Sequence, residues 1–149
     1  MRIALGVEYD GGAFSGYQFQ SHAPSVQDSL EQALSHVAAE PIRVEAAGRT
    51  DAGVHATKQV VAFDTAANRP SSAWVKGTNA QSPDSLSVVW AQRVPDDFHP
   101  RFQATARRYM YLFYEADEPS PLVEGRAVRS APLDASVLML AAAFSSSAS

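Results

Sequence analysis

The chain has 149 residues, 46% hydrophobic and 19% charged, with 12 Lys and Arg against 16 Asp and Glu. That length suits one domain, or one domain and part of a second, burying about 68–70% of the unfolded surface, and the apolar fraction is too high for a disordered chain. Zero cysteines exclude a disulfide framework, a zinc–thiolate site and a cysteine nucleophile, and the net charge of −4 argues against a protein that grips polyanions over its whole surface.

No apolar run approaches the roughly 18 residues of a membrane span, and no secretory signal is expected at the start, where Met1 leads straight into a strand pattern. Over residues 2–9, Ile3, Leu5, Val7 and Tyr9 alternate with Arg2 and Glu8, which predicts a half-buried strand. Asp10-Gly11-Gly12 breaks it, and a polar, aromatic loop runs from Gly16 to Pro24. Ser25 is a good N-cap with Asp28 three residues on; Val26, Leu30, Ala33, Leu34, Val37 and Ala38 then fall at helical spacing, predicting a helix over 26–39.

Residues 42–47 read as a short strand, 48–54 as a loop and 57–64 as a strand centred on Val60, Val61 and Phe63. A helix is expected over 71–79, and a strand over 86–94 with Leu86, Val88 and Trp90 on one face. Strand, helix, strand, strand, helix, strand is the ferredoxin-like βαββαβ order, an α+β fold whose antiparallel sheet carries both helices on one face.

Pro95-Asp96-Asp97 punctuates that unit, so a ferredoxin-like domain is expected over 1–97 and a partial second domain over 98–149. The second part reads as a long strand over 104–115, with Tyr109, Tyr111 and Phe113 on one face, then a short strand near Ala127-Val128. A helix over 134–144 and an Ala/Ser tail complete it. Between Phe98 and Tyr114 lie Arg101, Arg107 and Arg108 and no acid, which on pattern alone is a solvated face.

Gly48-Arg49-Thr50-Asp51-Ala52-Gly53-Val54-His55 draws the eye for chemistry. Two glycines permit left-handed backbone or close approach to a ligand, and an arginine and a carboxylate two residues apart share one side of an extended chain. The same spacing also describes a tight turn with a surface ion pair.

As a string, the segment resembles the signature of the tRNA pseudouridine synthase I (TruA-type) family. Five further stretches resemble that family's blocks in the same order: Glu8-Tyr9-Asp10-Gly11 with Gly16-Tyr17-Gln18, Ser25-Val26-Gln27, Gln59–Phe63, Asp96–Phe102 and Ala104–Tyr109. The resemblance runs from residue 2 to about 115. It implies an isomerase that converts uridine to pseudouridine in the anticodon stem-loop of tRNA. It further implies no metal or organic cofactor, a homodimer and a cytoplasmic setting.

Residue by residue, the resemblance makes Asp51 the nucleophile, acting at the ribose C1′ or the base C6. A carboxylate is ionised at neutral pH without a partner base, as a serine or cysteine is not. Arg49 matches the arginine that pairs with this aspartate and helps displace the target base. Tyr109 matches the active-site tyrosine, with a ring to stack on the flipped uracil and a hydroxyl near the C5 proton. Arg107, Arg108 and Arg101 become phosphate contacts, Gln18 a substrate contact, and His55 a hydrogen-bonding group beside the substrate rather than a catalyst. His22, His36 and His99 show no metal-ligand spacing.

Two departures from the family bear on function. Tyr17-Gln18-Phe19-Gln20 stands where the family has Trp-Gln-Arg-Gln, removing one arginine. Family members also continue well beyond this chain with a second half-domain that walls the cleft. That raises the alternative expectation of a truncated, catalytically incomplete RNA-binding module.

Overall fold

A computed structural model describes residues 1–133, so the helix expected over 134–144 and the Ala/Ser tail lie outside the described residues. Two compact units divide at Arg107/Arg108.

In the first unit, β1 (Arg2–Tyr9), α1 (Val26–Ala38), β2 (Glu45–Ala46), β3 (Ala56–Asp64), α2 (Ser71–Gln81) and β4 (Leu86–Val94) follow the expected order. The sheet is antiparallel throughout and runs β2-β3-β1-β4, the ferredoxin-like arrangement. Ile3, Leu5 and Val7 meet Leu30 and Leu34 of α1 and Trp74 of α2 in one core, where Trp74 stands edge-on to Phe63 at 5.2 Å. Each such side chain contributes about 1.5–3 kcal/mol by leaving water. Ser25 caps α1 as expected, its Oγ accepting from the Asp28 amide at 3.1 Å. Among the described residues, no helix is long and apolar enough to cross a membrane.

Three local expectations are corrected. Only Glu45–Ala46 of residues 42–47 pairs as a strand, because helix α1 takes the preceding amides. Ser35 Oγ accepts from Ile42 N–H at 2.9 Å, and the buried Glu31 carboxylate accepts from Val44 N–H at 3.0 Å. Strand β1 is buried on both faces except at Glu8. Trp90 lies across from Val88 rather than beside it, because the β1–β4 register shifts between Gly6 and Val7 and inserts Val89. The indole then covers Gly6 so closely that a β-carbon there would collide with it.

The segment after β4 closes over the other end of that back face. Arg2, 6% exposed, donates to Phe98 O at 2.5 Å and to Asp64 at 2.9 Å, and pairs with Glu45. Burial opposes its charge, but the bonds to Glu45 and Asp64 outweigh it and raise its pKa above the ordinary arginine value.

In the second unit, β5 (Phe113–Glu115) and β6 (Val128–Ser130) pair in parallel. The long strand expected over 104–115 is thus confined to its last three residues. Alternation supplies a face but no ladder partner, and here β6 offers only three residues to pair with.

Candidate active site

The loop between β2 and β3 sits where β1 ends, and neighbouring backbone sets its shape. The amide of Tyr17 donates to Thr50 O at 2.9 Å, and Val54 N–H closes a turn onto Asp51 O at 3.2 Å. Gly53 takes φ 80° inside that turn, a left-handed angle that glycine adopts without steric cost. Gly16, at φ 102°, lets the first loop run against the second: a β-carbon there would lie 3.3 Å from Thr50 O.

Side chains from the core complete the support. Gln59 Nε2 donates to Gly48 O at 2.5 Å and reaches the Tyr9 hydroxyl at 3.4 Å, and that hydroxyl shares a 2.7 Å bond with Thr50 Oγ1. The Gly11 amide donates to His55 Nδ1 at 3.0 Å, and Asp10 Oδ1 lies 3.2 Å from the same nitrogen, tying the loop's far end to the exit of β1.

Asp51 is therefore an exposed carboxylate on a turn with fixed backbone. Arg49 is exposed too, and its Nη1 donates to Gln18 Oε1 at 3.3 Å, so two of the expected site residues come together. Among the described residues, Arg49 and Asp51 make no ion pair with each other. Water competes well for two exposed charges, and such pairs contribute about 0–1 kcal/mol.

Arg107 joins the loop's base, its Nε donating to Ala47 O at 3.0 Å and its Nη2 to Arg101 O at 2.8 Å. Arg101 stacks over the Phe102 ring at 5.8 Å. Arg108 and Tyr109 belong to the second unit and are exposed there, Tyr109 by 70%. Tyr17 is a buried core residue. Among the described residues, no three acidic or histidine side chains are grouped to hold a metal ion.

Sequence reading missed the loop's supporting residues, Tyr9, Gln59 and Thr50. Gln59 carried a usable signal: a glutamine at a core-facing step of an apolar strand, opposite Val7 and in phase with Val61 and Phe63.

A ferredoxin-like α+β unit that presents an acid on a braced loop at one end of its sheet is compatible with many functions. Similarity to known proteins narrows it. Residues 6–103 match the tRNA pseudouridine synthase family, and the chain belongs to that family. Curated relatives named tRNA pseudouridine synthase A include one from Pseudoalteromonas atlantica, 61% identical over 76% of this chain and 43% of its own length. Others come from Shigella boydii, at 55% over 90% and 50%, and Shewanella sediminis, at 53% over 95% and 55%. The chain spans about half the length of the curated relatives it matches.

Proposed function

We propose that this chain carries the nucleophile-bearing part of an isomerase that converts uridine to pseudouridine in the anticodon stem-loop of tRNA, acting as a homodimer. The observation that carries the reading is the exposed Asp51 on its braced turn, with Arg49 two residues away. The name of these relatives, tRNA pseudouridine synthase A, supports the substrate and the reaction.

In this reading the N1–C1′ bond of the target uridine breaks and a C5–C1′ bond forms. The C5 proton leaves and N1 takes up a proton, so the product is an isomer and no redox partner is needed. Asp51 is the nucleophile that carries the nucleoside through the change. Arg49, held by Gln18, enters the space left by the everted base and meets the carboxylate once water is excluded, where the charge pair gains strength. Tyr109 stacks on the uracil, and its hydroxyl acts at the C5 proton. Arg101, Arg107 and Arg108 meet the RNA backbone, and His55 holds the loop beside the substrate.

The test is Asp51→Asn in the intact protein, read by tritium release from tRNA labelled at uracil C5. Near-parental release would refute the nucleophile assignment. Binding of tRNA by the 149-residue chain without turnover favours the second reading, an RNA-binding module of the same fold.

A further inference from the structure

Gln59 occupies a step of β3 that faces the apolar core, and it is 9% exposed. Burying an amide without partners costs about 1–3 kcal/mol. Its donors go to Gly48 O in the candidate site loop and to the Tyr9 hydroxyl at the end of β1. Tyr9, 3% exposed, passes the connection to Thr50 Oγ1, and the Thr50 carbonyl receives the Tyr17 amide. The residues on both sides of Arg49 are thus tied to the sheet, and one of them directly precedes Asp51.

We propose that Gln59 and Tyr9 are positioning residues for the Asp51 carboxylate. The inference rests on the reading of Asp51 as nucleophile. Both side chains are buried and act through the loop: the Gln59 amide fixes the peptide before Arg49, and the Tyr9 hydroxyl fixes the residue before Asp51. The two functional side chains then leave the backbone from set points. A displacement of about 1 Å at a reacting group costs on the order of 10²-fold in rate, so a polar clamp inside the core has a function that packing alone does not supply.

The test compares Gln59→Met, which keeps length and packing but lacks the amide, and Tyr9→Phe with the parent. Amide exchange is followed at Tyr17 and Val54, whose hydrogen bonds report on Thr50 O and Asp51 O, and tRNA turnover is measured alongside. Exchange at these two amides is expected to quicken about tenfold or more while β1 and β3 amides hold, with kcat reduced about tenfold or more at unchanged KM. Thr50→Ser should keep the protection that Thr50→Val loses, and adding Tyr9→Phe to Thr50→Val should quicken exchange no further.

Unchanged exchange at Tyr17 and Val54, general loss of protection across β1 and β3, or a raised KM with kcat retained would each overturn the clamp. A parent without turnover favours the binding-module reading over the enzyme reading, while the exchange measurement still decides the clamp.

Discussion

The Arg2 guanidinium donates to the Phe98 carbonyl at 2.5 Å, across 96 positions of sequence. That bond fastens the segment after β4 to the back of the sheet, and the same segment carries Arg101 and Arg107, the latter bonded to Ala47 at the base of the Asp51 loop. The first residue of the first strand therefore helps fix one flank of the candidate site. Arg2→Ala leaves the Phe98 carbonyl and two acids without their donor, and should destabilise the first unit by about 1–3 kcal/mol. The figure stays modest because Glu45 and Asp64 are more than half exposed and rehydrate. Urea unfolding with a lower midpoint at constant m checks this, and Arg2→Lys should recover little, since an ammonium lacks the planar fork.

Helix α1 ends on Ala39 at φ 57°, a left-handed angle that costs a residue with a β-carbon about 1–2 kcal/mol. Ala39→Gly should relieve that strain and, after the added freedom of the unfolded chain, stabilise the protein by about 0.5–1 kcal/mol. A thermal midpoint equal to or below the parent's would contradict this.

Glu40 accepts from Thr65 Oγ1 and from the Ala66 amide at 2.8 Å, and these bonds, the first chief among them, hold its carboxyl below the ordinary glutamate value. Because the folded pKa is depressed, the stabilisation is fully present above the unfolded value, about 4.3, and disappears as pH falls through the folded one. The difference in melting temperature between parent and Glu40→Gln should accordingly shrink below about pH 4. A difference constant from acid to neutral pH would count against it.

Tyr109→Phe keeps the ring and removes the hydroxyl. With Tyr109 exposed in the second unit, the melting temperature should hardly move. If the hydroxyl acts at the C5 proton, single-turnover rates should fall by about 10²-fold or more. Equal rates would leave only the stacking role.

Local pattern was enough for β1, α1, β3 and β4, because an apolar face repeats every two or every 3.6 residues regardless of what it packs on. The turn around Asp51 was legible because its residues lie side by side in the chain, but its part in function was read from the resemblance of the string to a family signature. Other features depended on partners far along the chain. Residues 104–112 carry aromatic and apolar residues in a strand-like stretch yet form no strand, since a ladder needs a second chain segment. Trp90 changes face because one inserted residue in β4 shifts its register against β1.

The same division runs through the candidate site. Asp51, Arg49 and the turn that bears them follow from residue order alone. That Gln59 and Tyr9 reach out of the core to hold Gly48 and Thr50, and that Arg49 meets Gln18 rather than Asp51, was decided only when the chain folded. Hydrogen bonds between distant residues depend on where the packed sheet sets them down, and no local periodicity encodes that.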